Sequence, residues 1–370
     1  MTLAAHVAPV LAWASLVRWW IALAVMLVVW ALSARRAHAL FADPPRARWI
    51  TRYVDEPMFL HFAAGLVALP LFLIGALAIG TASITGCAPS GVPLRALALP
   101  QAALAAFGGG LVVAGWGLWG RRRWVKTRRI EIGMRRLHGD LDGYRIAHLS
   151  DLHIGSYDRR ARGLQWARLV NATEPDLVVV TGDLVTSGTA YYDDAAAVIG
   201  ALRAPDGVYV VLGNHDQWDD EALARALGES GARVLRNEWV KIQRGSGALL
   251  LAGVDDAYTS KDDLDRTLAN RPGGVPTVLL AHYPDFFRGA REHGVELTLS
   301  GHTHGGQFGL PFLADRLNLA RALRQRPRGM VRQGESALYV NAGLGTTGPP
   351  LRIGVAPEIA VLVLRTAGDG

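Results

Sequence analysis

The sequence predicts a strongly apolar, helical N-terminal region followed by an α/β domain, and three observations carry that prediction. Residues 58–94 and 96–120 contain no Asp, Glu, Lys or Arg. After about residue 130, short strand-like apolar runs alternate with helical patterns. Five of those runs end in a short cluster of Asp, Asn or His. A chain of 370 residues exceeds one compact core, so two units are expected. Their bounds are read as an apolar region 1–120, a basic linker 121–143, the α/β domain 144–364 and a tail 365–370.

Each charge-free window holds a stretch of about 20 apolar residues, enough to cross a bilayer as a helix. A third apolar run falls within 10–33, interrupted by Arg18, whose long side chain can reach a headgroup. About three transmembrane helices are therefore expected. A cleavable signal peptide fits that first run less well, because no cation precedes it and Ala34-Arg35-Arg36 is a poor cleavage context. The first connection carries Arg35, Arg36, Arg46, Arg48 and Arg52, and the last apolar window is followed by Arg121, Arg122, Arg123, Lys126, Arg128 and Arg129. The positive-inside rule then puts both on the cytoplasmic side of a cell membrane crossed several times. The same basic run can also hold anionic lipid headgroups. The bilayer is the expected partner. Nucleic acid is not, despite a net charge of +7, since the cations flank apolar segments and form no stripe with aromatics. No protein partner is implied. The single cysteine, Cys87, excludes an intrachain disulfide.

In the second region strands are expected at 144–150, 176–181, 208–212, 248–252, 277–281, 296–299, 337–341 and 359–364, with helices at 159–173, within 193–203, and at 219–228. The polar clusters Asp151-Leu152-His153, Gly182-Asp183, Gly213-Asn214-His215-Asp216, His282 and Gly301-His302-Thr303-His304 each follow a strand. In open α/β sheets the carboxyl ends of strands line the ligand crevice, so all five should meet at one sheet edge. Carboxylate, amide and imidazole without thiolate are the donors of a catalytic metal pair, which points to metal-assisted hydrolysis. Asp151 and His153, like His302 and His304, are two apart, so an extended backbone turns both side chains to one side. Asp183 has two carboxylate oxygens with which to bridge two ions. A metal-free cluster of buried carboxylates and histidines would be costly. His148 is expected to pack in the core, Asp255 and Asp256 to form a turn, and Tyr283, Asp285 and His293 to sit at a helix entry or on the surface.

The motifs Ser150-Asp-Leu-His153, Gly182-Asp183, Gly213-Asn-His-Asp216, Ala281-His282 and Gly301-His-Thr-His304 together resemble the calcineurin-like metallophosphoesterases. Gly305-Gly-Gln307, Tyr339-Val-Asn-Ala-Gly-Leu-Gly345, Arg352-Ile-Gly354 and Pro357-Glu358-Ile359 resemble a membrane-attached bacterial subgroup. The resemblance implies a four-layer αββα sandwich of two mixed sheets between helices. It also implies two divalent ions (Mn, Fe, Mg or Zn), one held by Asp151, His153, Asp183 and His304, the other by Asp183, Asn214, His282 and His302. His215 would then be catalytic, stabilising the transition state or protonating the leaving oxygen, and Asp216 would orient it by accepting its other ring proton. The expected activity is hydrolysis of a phosphodiester or pyrophosphate, including a lipid-linked one. The alternatives are a phosphomonoesterase and a non-catalytic metal-binding sensor or scaffold, the latter opposed by the intact His215.

One stretch speaks to substrate. After Gln307 come Phe308-Gly-Leu-Pro-Phe-Leu313 and then Arg316, Arg321, Arg324, Arg326 and Arg328. This is either an ordinary surface loop or an apolar lip backed by cations that admits a lipid phosphoester.

Overall fold

In the computed structural model, residues 6–39, 45–85, 94–310, 313–314, 316–323 and 325–367 are described. Cys87, Phe312 and Arg324 lie outside them. Two compact units divide the chain: Met1–Phe41, Arg46–Arg121 and Gly348–Ile353 form one, and Ala42–Pro45, Arg122–Thr347 and Gly354–Gly370 the other.

The first unit is helical. Among the described residues two helices are long and apolar enough to cross a membrane, Arg48–Ala82 and Leu99–Arg123. They are not ordinary core helices, because large apolar side chains face outward: Leu77 is 70% exposed and Val112 74%. The earliest apolar run differs from expectation. It breaks into Val7–Leu16 and Trp19–Ala39, with Val17 extended at the break and Arg18 just after it, and its apolar stretch Trp19–Leu32 is shorter than a span. A cation inside an apolar run favours a helix end over a helix middle. Arg46 forks onto Asp55 at 2.7 and 2.9 Å, so part of the first basic connection is neutralised locally.

The second unit contains twelve strands: β1 (Lys126–Met134), β2 (Arg145–Leu149), β3 (Leu177–Thr181), β4 (Val208–Val211), β5 (Arg233–Val234), β6 (Glu238–Arg244), β7 (Gly247–Gly253), β8 (Thr277–Leu280), β9 (Leu297–Ser300), β10 (Gly329–Gln333), β11 (Ser336–Val340) and β12 (Glu358–Thr366). They form two mixed six-stranded sheets, ordered β1-β12-β2-β3-β4-β5 and β10-β11-β9-β8-β7-β6. β2 through β5 run parallel, as do β7, β8, β9 and β11.

Side-chain alternation builds the packing. Ile146, Val179, Leu251, Leu280, Leu299 and Leu362 point into one shared core between the sheets. Their neighbours Ala147, Val178 and Val180 turn the other way, onto Trp166, Val170, Val198 and Leu223 of the helices Arg160–Asn171, Tyr192–Ile199 and Asp220–Glu229. On the second sheet Leu279 and Ala281 pack with Leu268 and Ala290. Strands covered on both faces carry continuous apolar runs, which is why Leu177-Val-Val-Val180 reads as it does.

The linker expectation is corrected here. Residues 126–134 form an edge strand paired in parallel with β12 from Lys126↔Glu358 to Met134↔Thr366. An edge strand tolerates cations on its open side, so its basic first half looked like a membrane flank. Arg122 is buried against Asp158 at 2.9 Å and Arg128 meets Glu358 at 3.2 Å, so these two cations serve the domain itself. β5, β6 and β10 also went unforeseen, being short or charged edge and hairpin strands.

Candidate metal centre

The five polar clusters meet, but not at one sheet edge. Asp151 and His153 follow β2, Asp183 follows β3 and Asn214 follows β4 in the first sheet; His282 follows β8 and His302 and His304 follow β9 in the second. Backbone hydrogen bonds lock these loops together: Asp151 N–H to Gly182 O at 3.0 Å, His153 N–H to Asp183 O at 3.0 Å, and Gly301 N–H to His282 O at 3.1 Å. Leu344 and Gly345 donate to Ser150 O and Asp151 O at 3.1 and 2.7 Å, so the 339–345 motif braces the first loop.

Asp151, His153, Asp183, His302 and His304 all have positive φ, from 45° to 68°. For non-glycine residues that backbone costs about 1–3 kcal/mol each, and it persists where the surroundings over-determine it. Five such residues in one cluster mark a site built to aim side chains inward.

Two groups of potential ligand atoms result, Asp151, His153, Asp183 and His304, and Asp183, His282 and His302, the atoms of each lying within 4.8 Å of one another. His153 Nε2 faces His304 Nε2 at 3.1 Å, and His302 Nδ1 faces His282 Nε2 at 3.2 Å. Two imidazole nitrogens so close want a proton or a cation between them. Asp183 belongs to both groups, its Oδ2 lying 3.6 Å from His153 Nε2 and 3.3 Å from His282 Nε2. Its Oδ1 accepts from His215 N–H at 3.0 Å. A single oxygen therefore faces both groups, where two had been expected to share the task. His282 donates Nδ1–H to Thr181 O at 2.8 Å, which leaves Nε2 aimed inward. The donor set thus fits divalent cations: buried carboxylate and imidazole, geometrically convergent, with the His282 tautomer set from behind.

The electrostatics agree. Burial pushes Asp151 up to about 6, opposed by His282. Burial also acts to raise Asp183, but His282, His215 and His153 outweigh it and hold its carboxyl well below the usual range. In turn His282, despite its burial, is pushed up to about 10 by Asp183. Burial lowers His153 to about 3 and His302 to about 4. The cluster holds a proton on His282 where cationic charge is wanted.

His215 sits beside the groups, its ring 4.8 Å from that of His153 and nearly perpendicular to it. The expected Asp216 contact is absent. His215 Nδ1 donates to Thr186 O. Asp216, fully buried, accepts instead from Leu184 N–H and Gly213 N–H, each at 2.9 Å, and from Val185 N–H at 3.2 Å. Residues adjacent in the tight turn Asn214–Asp216 point apart, so neighbouring positions do not make a pair. Burial, with Asp183 close by, pushes the Asp216 carboxyl up to about 7.

His148 packs as expected, buried and hydrogen-bonded through Nε2 to Thr181 Oγ1 at 2.9 Å. Asp256 accepts from Thr259 N–H at 2.8 Å in a turn. Tyr283 does more than enter a helix. Its hydroxyl lies 3.2 Å from Asn214 Oδ1 and 3.3 Å from Asp256 Oδ1, and its ring stands 4.5 Å from that of His302. Its place directly after His282 was the available signal.

Residues 144–306 match the calcineurin-like phosphoesterase family. The chain is 31% identical over 271 residues to the metallophosphoesterase YkuE of Bacillus subtilis, spanning 70% of this chain and 94% of that protein. It is 33% identical over 272 residues to a Danio rerio transmembrane protein with metallophosphoesterase domain, covering 69% of this chain and 61% of that protein. A metallophosphoesterase of Aquifex aeolicus is 32% identical over 235 residues, 61% of this chain and 86% of its own length. Similar proteins therefore occur in bacteria and in animals.

Proposed function

The chain belongs to the calcineurin-like metallophosphoesterases, and from that membership we propose that it is a membrane-anchored hydrolase of a phosphodiester or pyrophosphate, using two divalent ions. The observation that carries this reading is Asp183 Oδ2, faced by His153 on one side and His282 on the other. Asp151, His153, Asp183 and His304 would hold one ion, and Asp183, Asn214, His282 and His302 the second. Such ions supply Lewis acidity toward phosphoryl oxygens and a water acidic enough to attack phosphorus near neutral pH.

The chain's own groups do the rest. Thr186 O accepts a hydrogen bond from His215 Nδ1–H, which leaves Nε2 free to face the reacting group. A proton held on Nε2 would stabilise a nonbridging oxygen or pass to the leaving oxygen. Asp216 positions the loops carrying Asp183 and Asn214 by accepting their backbone N–H groups. We read the domain as a four-layer sandwich, supported by one core between the sheets and further cores under helices on either side.

Membrane anchoring rests on the two long apolar helices and on the cations that flank them. Their distribution favours a multi-pass protein of a bacterial inner membrane with the catalytic domain in the cytoplasm. A reporter fused after Gly370 should be active only inside; an external signal overturns this topology.

Hydrolysis is tested with the purified full chain, manganese and bis(p-nitrophenyl) phosphate. Asp183→Ala and His215→Ala should each lower turnover by roughly 10²-fold or more, the range for a positioned acid or base. Activity indifferent to both substitutions refutes the site.

A further inference from the structure

The described residues of the stretch 308–323 invert the usual polarity of a folded segment. Ala314, Asn318 and Ala320 are buried, whereas Leu310, Leu313, Leu317, Leu319 and Leu323 are 42–62% exposed. One exposed leucine is ordinary, but five within fourteen positions form a patch that needs an occupant. Its described residues are hydrogen-bonded to one another. Leu310 N–H bonds Leu317 O and Leu319 N–H bonds Phe308 O, each at 2.8–2.9 Å. Asn318 donates Nδ2–H to Ala314 O at 2.6 Å and caps Arg321 N–H at 3.0 Å. Small and polar residues thus build the inside of the lip, and the leucines are left out by construction.

The lip is joined to the metal centre. It leaves directly after the turn His304–Gly306. A Cβ on Gly306 would lie 2.7 Å from Asn318 Oδ1 and 2.8 Å from Ala320 N, so only glycine allows the two to touch. Thr303 Oγ1 donates to Pro327 O at 2.6 Å, tying the lip's far end to the residue between His302 and His304. Between 308 and 328 the sequence carries five Arg and one Asp, a net charge of +4 by that count, with Arg316, Arg321 and Arg326 exposed.

We propose that this lip seats on an anionic lipid surface and that the substrate of the adjoining centre is a phosphoester carried in that surface. Apolar side chains enter the headgroup boundary and arginines pair with phosphate. Charge complementarity selects an anionic bilayer, and the same chain carries two helices long and apolar enough to enter one. The proposal rests on the hydrolase reading above and adds its substrate class.

The test uses the full chain in phosphatidylglycerol-containing nanodiscs, with p-nitrophenyl phosphatidate as the lipid probe and bis(p-nitrophenyl) phosphate as the soluble one. In both, water oxygen bonds to phosphorus, the phosphorus–oxygen bond to nitrophenol breaks, and nitrophenolate leaves. A Leu313→Ser, Leu317→Ser, Leu323→Ser variant should lose roughly tenfold or more in kcat/KM on the lipid probe, since that is about what burying one leucine contributes. Its rate on the soluble probe should be unchanged. Arg316→Glu with Arg326→Glu should weaken lipid turnover by roughly fivefold per cation, and only in anionic discs. A label on Leu317→Cys, in a Cys87→Ser background, should be quenched by brominated lipid. An unquenched label, or equal rates on both probes for every variant, overturns the lip as a lipid contact. Loss of hydrolysis by Asp183→Ala reports the hydrolase reading separately, so the two can fail independently.

Discussion

Replacing Asp216 by asparagine separates two roles that its place beside His215 leaves open. The carboxylate is fully buried and accepts three backbone N–H groups, from Gly213, Leu184 and Val185, at 2.9–3.2 Å. Asparagine keeps one oxygen and sets an NH₂ group against at least one of those donors. Leaving one buried N–H unsatisfied costs about 1–3 kcal/mol. For a domain of this size each kcal/mol lowers Tm by about 2–4 °C, so the transition should fall by roughly 2–12 °C. The measurement is thermal unfolding of the detergent-solubilised chain a unit or more above the carboxyl's pKa of about 7, where the wild type is ionised. Turnover should fall together with the stability, and the pH–rate profile should keep its shape. If Asp216→Asn unfolds with the wild type while a limb of that profile moves, Asp216 acts on the His215 ring and the backbone-clamp argument is wrong.

Three more outcomes are expected. Gly301→Ala puts a Cβ 2.5 Å from Asp151 Oδ2 and against Ser150 Oγ, so metal content by atomic absorption should drop sharply; a fully loaded, active variant would contradict the close approach. Tyr283→Phe removes the hydroxyl shared by Asn214 and Asp256. Metal titration of activity should show one site weakened about 10–100-fold, the usual effect of losing a group behind a ligand, and two unchanged affinities would refute that role. Metal binding should also release a proton, because His282, held at about 10 by Asp183, must give up its own. Apparent affinity should then rise about tenfold per pH unit near neutrality, and below about pH 6, where Asp151 is also protonated, it should fall more steeply as pH is lowered. Calorimetry in buffers of different ionisation enthalpy checks it, and a pH-independent affinity would remove the cation-for-proton exchange.

Much of the centre was legible because its signals are local. A strand ending in Asp, Asn or His is written in consecutive residues, and Asp151, His153, Asp183, His282, His302 and His304 do converge in two groups. Geometry within a turn was not legible. Adjacent His215 and Asp216 looked like a pair, but a tight turn sends successive side chains apart, one beside the His153 ring and one onto backbone N–H groups. β1 was hidden because Lys126, Arg128 and Arg129 on an open edge look the same in sequence as cations flanking a membrane helix. Arg18 was legible as a flaw in an apolar run, though the flaw divides the helix where one span within 10–33 had been expected.

The sequence by itself determined the donor chemistry, the strands that carry it and the presence of long apolar helices. All of these follow from residue type and short-range periodicity. Only the tertiary structure decided that two sheets, meeting across one shared core, bring Asp183 Oδ2 between His153 and His282. It also decided that a lip which buries alanines and exposes leucines is stapled to the same loop. Pairing between strands far apart in the chain depends on which faces close the core, and no local pattern encodes that choice.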